Sequence, residues 1–172
     1  MFGRQGTILH IDLTTRGHYV EKPDESILRR FIGGRGLAGW YLRPFVTRAW
    51  DDPSMPLLFF TGPLVDTPSP TATHLVVMSR SPQTGTIGDF SVGGALGPAI
   101  KRAGYDGIVI TGRCDFLCGI EIENETVTIT DAAKLKGAAA ERARAISNEK
   151  GASAFIGPAA ENGVRFAGII MD

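Results

Sequence analysis

The stretch that decides the fold is GPLVDTPSPTATHLVVMSRSPQTGTIGDFSVGGALGPAIKRAGYDG, residues 62–107. It carries eight glycines and five prolines, yet it also holds regular elements. HLVVMS (74–79) is a short apolar run between turn residues, the pattern of a buried strand. SPQTG (81–85) is a turn. A glycine-rich turn follows the strand that carries Met78. GGALGPAIKRAG (93–104) reads as a helix that opens and closes with glycine, and GIVITG (107–112) as the strand after it.

Working outward, MPLLFFTG (55–62) is an apolar run bounded by Pro and Gly, a second buried strand. At the N-terminus TILHIDL (7–13) alternates, with Ile8, His10 and Asp12 on one face and Leu9, Ile11 and Leu13 on the other. TTRG turns the chain and GHYVEK (17–22) returns, which makes a hairpin. His10 and His18 are expected to face each other across it, at the surface. Asp24 caps a helix over DESILRRFIGG, and GLAGWYLRPF (36–45) is a second helix stopped near Pro44. CGIEIENETVTITD (118–131) is a hairpin around Glu123-Asn124-Glu125. Residues 131–151 are Ala-rich and helical, interrupted at Gly137, and 152–172 end in strand, turn, strand.

Hairpins and helices alternate here without regular βαβα order. The expected fold class is therefore α+β, with mixed or antiparallel β-sheets and helices, in a single domain over 1–172. The tract FFTGPLVDTPSPTATHLVVMS (59–79) is echoed by AFIGPAAENGVRFAGIIMD (154–172). Each has an apolar pair, a Gly-Pro step, a polar loop and a strand with Met. An internally duplicated unit is expected from this.

Bulk composition excludes several classes. Lys plus Arg and Asp plus Glu number 18 each, so the net charge is zero and nucleic acid is not the expected partner. No apolar run has the length of a membrane span, and the N-terminus alternates where a secretory leader would be continuously apolar, so a cytoplasmic protein is expected. Cys114 and Cys118 make neither a disulfide framework nor a metal set, and two structural thiols are expected. No Ser-His-Asp, Cys-His or paired-carboxylate arrangement stands out.

The glycines point elsewhere. Glycine before a helix lets backbone N–H groups approach an anion, and SVGGALGPAIKRAG (91–104) has that form, although it also suits a loop packed tightly on a strand. GGRGLAG (33–39), with Arg35, is a second such start or a turn between packed helices. His74 opens the strand 74–79, where it can serve a ligand or satisfy a local hydrogen bond.

Several strings together resemble one family. They are FGRQGTILHIDLTT (2–15), FIGGRGLAG (31–39), FFTGPLVDTPSPT (59–71), SRSPQTG (79–85), GGALGPAIKRAGYDGIVITGRC (93–114), ITDAAKLKG (129–137) and IGPAAENGVRFAGIIMD (156–172). In consistent order from end to end, they resemble the N-terminal domain of the aldehyde ferredoxin oxidoreductases, the tungsten-pterin enzymes. The resemblance implies a β-rich base for a bis-molybdopterin cofactor holding tungsten or molybdenum. It implies a magnesium ion between the pterin phosphates and an iron–sulfur cluster in later domains. The implied reaction oxidises an aldehyde to a carboxylic acid, with two electrons passed to ferredoxin.

Carried over by position, Asp89–Gly94 falls on the phosphate and magnesium loop. The implied cofactor-binding residues are His74, Arg80, Ser91, Val92, Gly93 and Gly94, with the Ser91 backbone carbonyl meeting magnesium. His74 stands where the family carries an arginine, and an imidazole is shorter and lacks the bidentate fork. Arg80 stands at a lysine and Ser91 at an asparagine. A second glycine-rich turn expected after GVRFAGIIMD is not in the chain, nor are cluster cysteines, which Cys114 and Cys118 do not match. The chain alone is therefore expected to be inactive, with remaining domains or a catalytic subunit as partner and an apolar face that favours homo-oligomers. Two other readings stay open: a pterin-carrying or docking module, and an interaction protein without cofactor.

Overall fold

The computed structural model describes residues 3–139 and 151–171. Its centre is a six-stranded mixed sheet in the order β2-β1-β6-β3-β4-β5. The strands are β1 (Ile8–Asp12), β2 (Gly17–Glu21), β3 (Leu57–Thr61), β4 (Leu75–Arg80), β5 (Ile87–Val92) and β6 (Gly107–Thr111). β1 and β6 run parallel, and every other neighbouring pair is antiparallel. Two further hairpins complete the β structure: β7 (Cys118–Glu123) with β8 (Thr126–Asp131), and β9 (Ala154–Ile156) with β10 (Ile169–Met171). The α+β expectation, with mixed and antiparallel sheets, holds.

Period-two alternation splits the core into two layers. Ile8, Leu58, Phe60, Met78 and Val109 point to one face. There they meet Leu28 of α1 (Glu25–Phe31) and Leu37, Ala38 and Leu42 of α2 (Gly34–Leu42). Leu9, Ile11, Phe59, Leu75, Val77 and Ile108 point to the other face. That face is covered by Ile100 of α3 (Leu96–Arg102) and by apolar residues of β7, β8 and β10. Burying each large side chain contributes roughly 1.5–3 kcal/mol, and Leu58 and Phe60 are fully buried. Phe60 lies flat on its ladder partner: a Cβ at Gly107 would sit 2.7 Å from the ring.

Asp24 caps α1 as expected, its carboxylate accepting from Ser26 N–H at 2.7 Å. α2 begins at Gly34, two residues earlier than read, and passes into a short 3-10 turn, Arg43–Phe45, at Pro44. β5 is an addition. IGDFSV has weak strand propensity, and it is strand because β4 offers it a full ladder, from Leu75↔Val92 to Arg80↔Ile87. α3 starts at Leu96 rather than at residue 93, because Gly94 sits at φ 144, outside helical space.

The two hairpin histidines do not face each other. The register pairs His10 with Tyr19 and Ile11 with His18. His10 is mostly buried, stacks on Tyr19 at 4.5 Å and contacts the Glu21 carboxylate at 2.6 Å. Within 131–151, Asp131 ends β8, Ala133–Leu135 form a 3-10 turn instead of α-helix and 136–139 are turn and irregular; residues 140–150 lie outside the described residues.

The sequence echo is real in topology: β3–β4 and β9–β10 are both antiparallel pairs joined after a Gly-Pro step. α4 (Pro158–Glu161) fills the second loop. The registers differ by one residue. Phe60 pairs with Val76, whereas Phe155 pairs with Ile170, the equivalent of Val77 when Met78 and Met171 are matched. A one-residue slip exchanges the faces, so the second copy is not a superposable repeat of the first.

Candidate functional site

The glycine-rich loop and His74 meet at one end of the β4–β5 ladder. Val92 pairs with Leu75, so the chain leaving β5 runs back beside the residues that enter β4. A Cβ at Gly93 would lie 3.3 Å from Thr73 Oγ1 and 3.9 Å from His74 Cε1. A Cβ at Gly97 would lie 2.7 Å from the Thr73 carbonyl, which places α3 directly on the strand entrance. These glycines are there because two backbones approach closely. Gly94 has a further reason, its φ of 144.

His74 is exposed, and its Nδ1 lies 3.4 Å from the Thr71 carbonyl. Ser91 is exposed near the end of the ladder, opposite Val76. Val92 and Gly94 line a small apolar hollow with Leu75, Leu96, Gly97 and Met171 that is too tight for water. The inner side of the loop is therefore filled by side chains, and only its outer side is open. β5 is the sheet edge, and an edge strand leaves alternate backbone N–H and C=O groups without ladder partners.

Two ion pairs fix this end. Arg102 of α3 grips Asp66, with Nη2 to Oδ1 at 2.6 Å and Nε to Oδ1 at 3.1 Å. Asp66 sits at φ 62 in the Gly-Pro loop that leads to His74. The Asp66 carboxylate in turn pushes the Arg102 guanidinium further up. Arg35 of α2 pairs with Asp89 of β5. A third, buried pair lies beneath. Lys101 pairs with Asp106, and Lys101 Nζ donates to the Gly3 carbonyl at 2.9 Å. Asp106 accepts from the N–H groups of Gln5 and Gly6. This straps the N-terminal segment against the Gly-Pro loop, where a Cβ at Gly3 would clash with the Pro63 carbonyl.

Arg80 is not part of this cluster. It stands at the opposite end of the ladder, five residues from Leu75, or about 17 Å at ~3.4 Å per residue. Its Nη1 donates to the carbonyls of Val46 and Arg48 at 2.7 and 2.6 Å. There it borders an apolar cavity of about 220 Å³ with Leu42, Val46, Met55 and Ile87. Of the six expected residues the structure thus gathers His74, Ser91, Val92, Gly93 and Gly94, and separates Arg80. The Asp66–Arg102 and Arg35–Asp89 pairs have no counterpart in the sequence reading, because partners 36 and 54 residues apart leave no local signal.

The fit to a phosphorylated pterin follows from these donors. The loop offers bare glycine backbone on its outer side, with an imidazole beside it. The arginines nearby, Arg35 and Arg102, are engaged with carboxylates. α3 is seven residues long with Ala95 at its cap, so its dipole adds little. Among the described residues no group of three or more His, Cys, Asp or Glu is placed to hold a metal. Backbone oxygen is the donor this end has for magnesium, which is an oxygen-seeking ion. The residues fit a cofactor approached through main chain.

The chain belongs to the aldehyde ferredoxin oxidoreductase family: the model of that family's N-terminal domain matches residues 8–172. It is 35% identical to the tungsten-containing aldehyde ferredoxin oxidoreductase of Pyrococcus furiosus over 179 residues, covering 100% of this chain and 30% of that protein. The Thermococcus kodakarensis protein of the same name is 37% identical, with the same coverage. An aliphatic sulfonate oxidoreductase, WOR-like subunit, of Pyrococcus furiosus is 33% identical over 99% of this chain and 30% of its own length. Among solved structures, the active site complex BamBC of benzoyl coenzyme A reductase with 1,5 dienoyl-CoA is similar at a TM-score of 0.93. That chain is 31% identical, with 99% of this chain and 27% of that one covered. The chain thus spans under a third of the length of these relatives.

Proposed function

We propose that this chain is the cofactor-bearing base of a cytoplasmic oxidoreductase that oxidises an aldehyde to a carboxylic acid and passes two electrons to ferredoxin. The cofactor is bis-molybdopterin with tungsten or molybdenum, and it supplies the two-electron redox centre. The iron–sulfur cluster belongs to the remaining domains or to a catalytic subunit, which also complete the clamp around the pterins. Residues 1–172 act as one domain, inactive by themselves. Among the described residues no helix is long and apolar enough to cross a membrane.

In this reading Gly93 and Gly94 present main chain to the pterin phosphate. The Ser91 carbonyl meets magnesium, and Val92 anchors the loop in its apolar hollow. His74 borders the phosphate end as a short donor. Arg80 holds the far end of the ladder by its bonds to the Val46 and Arg48 carbonyls, and so acts on the loop through the strands. The observation that carries the reading is the open glycine pair at the sheet edge, with Gly94 at φ 144 beside exposed Ser91 and His74.

The test is production of the complete parent protein with tungstate or molybdate supplied. Metal is measured by mass spectrometry and pterin by fluorescence after acid extraction. Wild type should carry both, and Gly94→Val should lower both at least ~10-fold, a change of about 1.4 kcal/mol in cofactor affinity. Metal and pterin unchanged in the variant would sink the assignment of the loop. Turnover of an aromatic CoA thioester in place of an aldehyde would move the substrate towards that named for the structural neighbour.

A further inference from the structure

The cavity at the far end of the β4–β5 ladder takes no part in the loop described above. Met78 packs under α2, and Arg80, two residues on, points the same way. Ile87 is the ladder partner of Arg80, so the two side chains share that face. Leu42 and Met55 are buried and form the floor of the cavity, while Val46 and Ile87 stand 46% and 54% exposed at its rim. Arg80 is the charged residue in this hydrocarbon wall. It is already held in place: Nη1 donates to the Val46 and Arg48 carbonyls at 2.7 and 2.6 Å. Those bonds use both Nη1 hydrogens, and Nε and Nη2 have no acceptor among the described residues. Gly85, at φ 69 in the β4–β5 turn, lines the cavity too, and a Cβ there would lie 4.0 Å from Nη2. Glycine therefore leaves the free edge of the guanidinium uncovered.

We propose that this cavity is a binding site for a small apolar monocarboxylate, an aromatic or branched aliphatic acid. The Nε–Nη2 edge of a guanidinium is a fork that donates to both oxygens of one carboxylate. The hydrocarbon of the acid would lie on Leu42 and Met55, between Val46 and Ile87. Size agrees: a cavity of about 150 Å³ holds benzene, so the ~220 Å³ here admits such a ring with a carboxylate attached. An inorganic anion fits poorly, because it would press charge against four apolar side chains with one cation to offset it. The main-chain bonds fix the fork before the acid arrives, which lowers the ordering cost of binding. The site stands at the opposite end of the ladder from Gly93 and Gly94 and does not rest on the cofactor reading. Its occupant would tie the β4–β5 turn to the end of α2.

Benzoate is titrated into the 172-residue chain at fixed ionic strength and followed by saturation-transfer NMR and calorimetry. Saturable binding at one site per chain is expected, with Kd of about 1 mM, near what so small a ligand can reach. Benzamide keeps the ring and loses the charge, and acetate keeps the charge and loses the ring; each should bind at least ~10-fold more weakly. Arg80→Lys keeps a cation without the fork and should weaken benzoate at least ~10-fold. Val46→Phe keeps the backbone acceptor of Arg80 but fills the cavity from its rim, and should abolish binding. Near-UV circular dichroism reports whether each variant is folded, and Val46→Phe, at an exposed position, decides the matter if Arg80→Lys is not. Absence of saturation well above the expected Kd, benzamide or acetate binding as tightly as benzoate, or unchanged affinity in either folded variant would each overturn the proposal.

Discussion

Replacing Asp106 with Ala removes the anchor of the N-terminal segment. Asp106 and Lys101 are each only 3% exposed, so the variant leaves an ammonium in the interior with the Gly3 carbonyl as its remaining acceptor. It also frees the N–H groups of Gln5 and Gly6. Each hydrogen bond to a charged group is worth about 1.5–3 kcal/mol, and simple addition of three such bonds would exceed the total. Gln5 is exposed, however, and water can take the place of its lost acceptor. Most of the cost comes from the uncompensated buried charge, about 3–5 kcal/mol when one partner of a buried pair is removed. The expected loss is therefore about 4 kcal/mol. Guanidinium unfolding read by the fluorescence of Trp40, which packs 5.0 Å from Phe31, measures it. The double variant Lys101→Met/Asp106→Leu should come back to within ~2 kcal/mol of wild type, since apolar replacement of a whole buried pair is often neutral. A loss below ~1 kcal/mol for Asp106→Ala, or a double variant as unstable as the single, would refute the reasoning.

Three further outcomes follow from the packing. Gly107→Ala forces a Cβ into the Phe60 ring and should destabilise by about 1–3 kcal/mol in the same unfolding assay, with Gly107→Ala/Phe60→Leu recovering part of it. Burial, followed by the hydrogen bond with Cys114, pushes the Cys118 thiol up to about 11, against 9.0 for the free group. The fold thus favours the neutral thiol; that stability is present below pH 9 and is lost as pH rises towards 11, a decline that Cys118→Ser should remove from a thermal melt series. The Tyr41 hydroxyl is buried with no hydrogen bond of good geometry; burial, and next the Glu21 charge, push its pKa well above the usual tyrosine range, so it holds its proton more tightly. Tyr41→Phe should therefore be neutral or stabilising by about 1 kcal/mol, and a loss of more than ~1 kcal/mol would mean that Glu21 holds the hydroxyl in a true bond.

Strands with strong alternation or continuous apolar character can be read directly. β1, β3, β4 and β6 fall where their apolar residues put them, because burial on both faces leaves one stable arrangement, and the β7–β8 hairpin falls where its alternation puts it, with Ile120, Ile122, Val127 and Ile129 packed on the core. β5 cannot be read that way. Its alternation of Ile87, Asp89 and Ser91 with Gly88, Phe90 and Val92 mixes polar and apolar on each face, and its strand state comes from β4 alone. The His10 register escapes the sequence for a related reason: the turn residue Arg16, at φ 56, sets the pairing, and its conformation is not written in its residue type. At the site, glycine spacing locates the Gly93–Gly94 loop, since close approach demands that residue. The resemblance groups Arg80 with the loop, and the β4–β5 ladder places it at the opposite end from Leu75↔Val92.

The position of β6 has a consequence for how the chain is made. β6 lies between β1 and β3, parallel to a strand about 100 residues earlier and antiparallel to one about 50 residues earlier. The β1–β2 hairpin and the β3–β4–β5 meander contain only local pairings and can form as soon as each has been synthesised. Neither half has a completed neighbour until residues 107–111 emerge. β6 then joins them in one step, bridging two preformed pieces across the longest loops in the molecule, a closure that sets a slow rate because its entropy is lost before its contacts are gained. Until then the inner edges of β1 and β3 stand open. A translation pause placed before residue 107 should lengthen that exposure and raise aggregation, whereas a pause placed after residue 111 should not.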